Sequence, residues 1–250
     1  MQRTYRIGQI VPSSNTAMET EVPAMLRTRE RVGAERFTFH SSRTRMLNVT
    51  KEELTAMNAD SERCAIELAD ARVDVVGYAC LVAVMSQGNG YHRRAEAQLQ
   101  SVVARHGCDA PIVSSAGAMI EGLKALNAMR IAIVAPYLNP LTQLVIDYIE
   151  SEGIEVVDSV SLEGPDNLVV GRCDPMAPAK IYRTLDLRRA DAVVLSSCVQ
   201  MQSLPAIPLV EKECGLPVVS AAVCTTHQIL TRLGLPTSVE GAGALLSGRY

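Results

Sequence analysis

Two cysteines stand at the ends of apolar runs that read alike. Cys80 closes VDVVGYAC and Cys198 closes AVVLSSC. A thiolate is a strong nucleophile, and a thiol can also give or take a proton. Two thiols facing each other could act on both faces of a planar or prochiral carbon with no metal, haem or nicotinamide. A lone cysteine at a strand end is ordinarily core packing, so it is the recurrence that singles out this pair. Their flanks differ. Cys80 runs into Leu81, Val82 and Ala83, an apolar setting suited to attack on an alkene. Cys198 is flanked by Ser196, Ser197 and Gln200, a setting suited to proton handling.

A free thiol ionises near a pKa of about 8.5 and needs amide donors, a helix N-terminus or a base to be activated. The residues after Cys80 can open a helical turn that aims backbone N–H groups at the sulfur. The turn VPSSNT at 11–16 offers the hydroxyls of Ser13, Ser14 and Thr16 and the amide of Asn15. The corresponding APYLN segment has Tyr137 in place of Ser13, which adds a phenolic donor. Asn15 recurs as Asn139, so part of its role is structural, as in capping a helix. Asparagine, tyrosine and backbone amides with few cations suit a small carboxylate. The other cysteines, Cys64, Cys108, Cys214 and Cys224, read as packing, while Cys173 in GRCDP lies close enough to Asn167 to be weighed as a lining residue.

The elements that must hold these residues alternate. Strands are expected near 6–11, 35–40, 73–79, 112–114, 131–135, 154–158, 192–196 and 218–220. Helices are expected near 17–30, 51–71, 90–107, 117–127, 140–152, 176–189, 205–214 and 222–233. Valine- and isoleucine-rich strands with little polar alternation argue for parallel sheets covered by helices on both faces. The order also repeats. Arg6, Pro12 and Asn15 match Arg130, Pro136 and Asn139. The Cys80 strand matches the Cys198 strand, and APIVSSAGAMIEGLKAL at 110–126 matches LPVVSAAVCTTHQILTRLGL at 216–235. The fold class is therefore α/β, with two pseudo-symmetric domains, 1–116 and 117–224. The segment 225–250 is able to complete the first. Ligands of open parallel sheets bind beyond the carboxyl ends of the strands, which puts the matched turns and both cysteines on one inter-domain cleft. The segments near 40–50 and 163–175 are candidate lids.

Composition narrows the function. The chain has 250 residues, 48% of them hydrophobic, and a net charge of −3 with no run of like charges, which does not suggest a nucleic-acid or membrane-surface partner. No apolar stretch reaches the roughly 18 residues of a membrane span, and the start of the chain lacks a signal-peptide pattern, so a cytoplasmic protein is expected. Seven cysteines with no C-x-x-C pair read as free thiols, and four scattered histidines do not suggest zinc. GNG at 88–90 lacks the third glycine of a dinucleotide fingerprint, and neither a Walker loop nor a G-x-S-x-G elbow is present.

The stretches VPSSNTAMETEVP (11–23), GYACLVAVMSQG (77–88), APYLNPLT (135–142), EGPDNLVVGR (163–172) and SSCVQMQ (196–202) together resemble the Asp/Glu racemase superfamily, and within it the maleate cis-trans isomerases. The resemblance spans nearly the whole chain. It implies a homodimer acting on a small dicarboxylate and converting maleate to fumarate without a cofactor, in nicotinate degradation. Position by position, it implies Cys80 as nucleophile and Cys198 as proton donor. It further implies that Asn15, Tyr137 and Asn167 hold the substrate, with the backbone at Leu81, Val82 and Val199. The alternative is a two-cysteine amino-acid or hydroxy-acid racemase or epimerase working by proton abstraction. Racemases of the superfamily follow each catalytic cysteine with a polar pair, whereas Leu81-Val82 and Val199-Gln200 stand here. Arylmalonate decarboxylases resemble the chain at the second cysteine but lack the first.

Overall fold

The computed structural model describes residues 3–164 and 166–250, so Met1, Gln2 and Pro165, which fall within the expected first domain and second lid, lie outside the described residues. The first half runs β1 (Thr4–Pro12), α1 (Met18–Arg29), β2 (Arg36–Thr44), α2 (Lys51–Asp70), β3 (Val75–Tyr78), α3 (Leu81–Met85), α4 (Tyr91–Arg105), β4 (Ile112–Ser114) and α5 (Ser115–Ala125). The second half runs β5 (Arg130–Ala135), α6 (Asn139–Ser151), β6 (Glu155–Ser161), α7 (Asn167–Gly171), α8 (Pro178–Ile181), β7 (Ala192–Ser196), α9 (Ile207–Cys214), β8 (Val218–Ser220) and α10 (Ala221–Arg232).

Each half builds a four-stranded sheet of the same order, β2-β1-β3-β4 and β6-β5-β7-β8, and every pairing is parallel. The central strands β3 and β7 are buried along their whole length, as expected where helices cover both faces. The repeat goes deeper than the matched motifs. Asp74 accepts from the Arg6 backbone N–H at 2.7 Å, and Asp191 accepts from that of Arg130 at 2.9 Å. Ser114 caps α5 through the Gly117 N–H, and Ser220 caps α10 through the Val223 N–H.

The last helix crosses between halves. α10 packs against α5, α1 and β3. The approach is close: a Cβ on Gly122 of α5 would lie 2.9 Å from the Cys224 sulfur on α10, so glycine is what lets these two helices meet. Cys224 is fully buried there as packing.

Two expected elements differ. β2 continues to Thr44, in register with Pro12, so the first part of the 40–50 segment is strand and only the remainder is a connection. The region 176–189 is not one helix. α8 tightens into a 3₁₀ turn at Tyr182–Thr184 and stops at Leu185, which is extended. The chain is drawn off by the Asp186 N–H donating to Asp158 at 2.6 Å and by a local Asp186–Arg188 ion pair. The 163–175 segment contains α7, capped by Asp166 through the Val169 N–H, which sequence reading took as loop.

Candidate active site

The first cysteine is set by an unusual backbone. β3 ends at Tyr78, the Ala79 N–H still bonds Ile10 of β1, and Cys80 then turns into left-handed space at φ 81 and ψ 72. Such a conformation costs an L-residue roughly 1–2 kcal/mol and is sustained only where the surroundings over-determine it. Here the strand pins one side and α3 the other, with the Ala83 N–H bonding the Cys80 carbonyl at 3.1 Å. The helical turn expected after Cys80 is therefore present. The amides of Leu81 and Val82, in the first turn of α3, have no intrahelical acceptor by position.

The second cysteine follows β7. Ser196 Oγ donates to the carbonyls of Cys198 and Met201 and so closes the loop on itself, and the Gln200 N–H donates to the Cys198 sulfur at 3.4 Å. The side chains of Ser196 and Gln200 are thus occupied elsewhere, contrary to the expectation that they assist proton handling. Ser196 is locked into the loop, and the Gln200 carboxamide reaches across to the first half. Ser197 contributes its carbonyl, which accepts from the Tyr137 hydroxyl at 3.5 Å.

Both sulfurs line one small cavity of about 10 Å³ together with Pro12, Asn15, Met46, Val49, Val82, Tyr137, Asn167, Val199 and Gln200. Cys80 and Cys198 are 8% and 9% exposed. Asn15, Val82, Tyr137, Asn167 and Val199 therefore meet around the two thiols. The Leu81 side chain is buried in the core at the head of α3, so only its backbone, at the first position of that helix, is left to serve the cavity. Asn139, the repeat partner of Asn15, bonds Glu163 at the surface, and Cys173 donates to Val169 O, so neither reaches the cavity. Asn15 Oδ1 accepts from the Met18 N–H at 3.1 Å, which commits its oxygen to the start of α1 and leaves its NH₂ for the cavity. Asn167 Nδ2 donates to Ser14 Oγ at 3.0 Å. Ser13 instead bonds the Met46 backbone and steadies the connection after β2. Met46 and Val49 lie in the 40–50 segment expected as a lid, although neither residue stands out individually as a lining residue. They lie outside the repeat, and nothing in RMLNVT distinguishes them from an ordinary loop.

A larger apolar pocket of about 480 Å³ adjoins the cavity. It shares Val49, Tyr137, Asn167 and Cys198 with it and is walled by Leu54, Leu141, Leu144 and Val170, with Lys51 and Asp166 also in its lining.

Among the described residues no Asp, Glu, His, Lys or Arg lines the small cavity, so its titrating groups there are the two thiols and the Tyr137 phenol. Burial pushes the Cys80 thiol up to about 12, against the lowering effect of the Ala83 amide, and the neighbouring Cys198 adds to the rise. Burial also raises Cys198, while the Tyr137 hydroxyl and the amides of Gln200 and Met201 hold it down. Tyr137 is raised well above its ordinary value by burial and by both sulfurs. At neutral pH the cavity is uncharged, an arrangement of donors without cations.

Comparisons with known proteins fit this geometry. Residues 7–246 match the arylmalonate decarboxylase family model. The maleate isomerase of Geobacillus stearothermophilus is 60% identical, covering 100% of both chains. The crystal structure of a cysteine-to-alanine mutant of the maleate isomerase Iso from Pseudomonas putida S16, solved with maleate, superposes with a TM-score of 0.98 at 57% identity, covering 99% of each chain. A cysteine-to-serine mutant of the Nocardia farcinica maleate cis-trans isomerase carries a covalently bound succinylcysteine intermediate. It superposes with a TM-score of 0.95 at 46% identity, over 99% of this chain and 100% of that one. Arylmalonate decarboxylase, at 20% identity and a TM-score of 0.83, shares the fold. With two like-ordered parallel sheets, paired cysteines on one cavity and matches of this identity along the full length, the chain belongs to the maleate isomerase family.

Proposed function

We propose that this protein isomerises maleate to fumarate without a cofactor, through a covalent adduct on Cys80. The observation that carries this reading is that two thiols line one small cavity together with Asn15, Tyr137 and Asn167 and, among the described residues, no charged side chain. Rotation about a carbon–carbon double bond requires its π character to be removed. The Cys80 sulfur forms a bond to one alkene carbon, the π bond breaks, and its electron pair moves onto the other alkene carbon and its carboxylate. Cys198 gives that carbon a proton, leaving a succinyl thioether. The central bond is now single and turns. Cys198 then takes the proton back, the C=C bond re-forms as trans, and the Cys80 sulfur leaves with its electron pair. No step needs an outside oxidant or reductant. This nucleophilic route divides one difficult step into easier ones.

The donors are assigned accordingly. The Asn15 and Asn167 amides, the Tyr137 hydroxyl and the amides of Val82 and Val199 receive the carboxylates and the charge that develops on them. A preorganised donor of this kind is worth roughly 2.7–4 kcal/mol where it meets transition-state charge. Burial keeps the Cys80 thiol protonated at neutral pH, and among the described residues the cavity lining supplies no carboxylate or imidazole, so the substrate's own carboxylate is the base placed to take the Cys80 proton as sulfur attacks and to return it as sulfur leaves. The same reading takes 1–116, completed by 225–250, and 117–224 as the two domains of a cytoplasmic homodimer, and sedimentation reads the oligomeric state.

The test is fumarate formation from maleate in buffer with chelator and no added cofactor, followed by mass spectrometry of the Cys80 peptide for a substrate-sized adduct. Cys80→Ala abolishes turnover, and Cys198→Ala cripples it while still permitting the adduct. Full activity in Cys80→Ala refutes the mechanism. Obligatory incorporation of solvent deuterium at an α-carbon, with no change of alkene geometry, points to the racemase alternative instead.

A further inference from the structure

The Gln200 side chain is 2% exposed, and all four of its hydrogen-bonding positions are used. Its oxygen accepts from the backbone N–H groups of Thr16 at 2.9 Å and Ala17 at 3.4 Å. Its nitrogen donates to the carbonyls of Ser14 at 3.0 Å and Asn167 at 2.8 Å. Two amide donors on one side and two carbonyl acceptors on the other fix which way the carboxamide faces. Its partners flank Asn15 in the first half and include Asn167 itself in the second. Its own backbone N–H points at the Cys198 sulfur. One residue thus touches the loop of one thiol, the residues on either side of Asn15, and Asn167 itself. A second, independent feature agrees. A Cβ on Gly171 would stand 2.4 Å from Gln200 Nε2, so the glycine at the end of α7 leaves room for this carboxamide.

We propose that Gln200 is a positioning residue that holds the Asn15 turn and Asn167 in register with Cys198, so that one buried carboxamide sets the spacing of the donors across the two halves. This rests on the proposed reading of the cavity as a dicarboxylate site. With no capacity left over, Gln200 does not bind substrate directly; it acts through Asn15 and Asn167. Replacing its NH₂ with a carboxylate oxygen sets negative charge against two carbonyls, whereas a protonated carboxyl can still donate to one of them.

The test compares wild type, Gln200→Glu, Gln200→Met and Gly171→Ala for maleate turnover between pH 5.5 and 8, with melting temperatures in parallel. At pH 8 both Gln200 variants lose at least tenfold in kcat/KM, with KM raised at least fivefold. The ratio of Gln200→Glu to wild type recovers about tenfold toward pH 5.5, while the ratio for Gln200→Met stays flat. With melting temperatures showing the variants folded across this pH range, the split together with the raised KM separates positioning from a loss of folded protein. Gly171→Ala, which displaces the carboxamide without removing it, raises KM at least threefold, and it decides the matter if the Gln200 variants fail to fold. Gln200→Met within twofold of wild type, a Gln200→Glu profile parallel to wild type, or an unchanged KM in Gly171→Ala overturns the proposal. If wild type makes no fumarate, the proposed reaction fails while the positioning role is still read by calorimetry. Maleate then binds Cys80→Ala at least tenfold more tightly than it binds the Cys80→Ala, Gln200→Met double variant. Equal affinities overturn the positioning role, and no binding by Cys80→Ala overturns both.

Discussion

The left-handed backbone at Cys80 makes a prediction that separates its two roles. Cys80→Ala and Cys80→Gly both remove the sulfur and should both be inactive. Alanine keeps the strained φ of 81, and glycine relieves it. The relief is about 1–2 kcal/mol, against about 0.5–1 kcal/mol for the extra freedom glycine gives the unfolded chain. Cys80→Gly should therefore match Cys80→Ala or exceed it by up to about 1.5 kcal/mol. Cys198 is not among the residues with positive φ, so there Gly should be less stable than Ala by about 0.5–1 kcal/mol. The two Gly-minus-Ala differences should be about 1–2 kcal/mol apart. At roughly 2–4 °C per kcal/mol for a chain of this size, that is about 2–8 °C in melting temperature. Urea unfolding of the four variants, with scanning calorimetry alongside, measures this directly. If Cys80 and Cys198 give the same Gly-minus-Ala difference, the strain argument is wrong.

Further outcomes follow from burial and charge. Alkylation of Cys80 should keep rising about tenfold per pH unit beyond pH 9, since its thiol is pushed up to about 12, whereas an ordinary thiol levels off above about 8.5; a plateau by pH 9 contradicts the burial argument. The same raised value favours folding while the thiol is protonated. Stability should thus fall as pH rises from the unfolded value toward 12, less steeply in Cys80→Ala, as read by unfolding midpoints across that window. Tyr137→Phe removes a donor beside Cys198 and should cut kcat about 10²–10³-fold while raising the Cys198 pKa; an unchanged kcat removes Tyr137 from the chemistry. Glu21 is buried, its pKa is raised by desolvation, and its Oε1 accepts from the Ser203 and Leu204 amides. Glu21→Ala should cost about 1–3 kcal/mol by stranding those amides. Glu21→Gln should cost much less, because an amide oxygen still accepts from both.

What the sequence disclosed and what it hid divide along physical lines. The Cys80 and Cys198 strands, the Asn15 turn and Tyr137 were legible because strands buried on both faces leave uninterrupted apolar runs, and duplication leaves matched punctuation at their ends. Gln200 was noticed, but for a role its side chain does not perform. A carboxamide three-dimensionally committed to the opposite half has no local signature. Met46 and Val49 enter the cavity from a connection unique to the first half, so the repeat offered no echo of them. The helix expected over 176–189 failed because the pull of Asp158 on Asp186 is a long-range contact. Asn139 shows the converse: a matched residue whose copy has turned to the surface and bonds Glu163.

The volume of the two-thiol cavity bears on the timing of the proposed reaction. About 10 Å³ is room for roughly one water, far less than a four-carbon dicarboxylate needs, while about 480 Å³ lies next door behind Tyr137 and Asn167. Admission is then a gate in series with chemistry. If widening the cavity limits capture, the capture rate should saturate with maleate concentration at the frequency of that opening instead of climbing in proportion, and a capture rate that stays proportional rules the gate out. The same close walls that would keep water off an adduct on Cys80 would then set how often one forms.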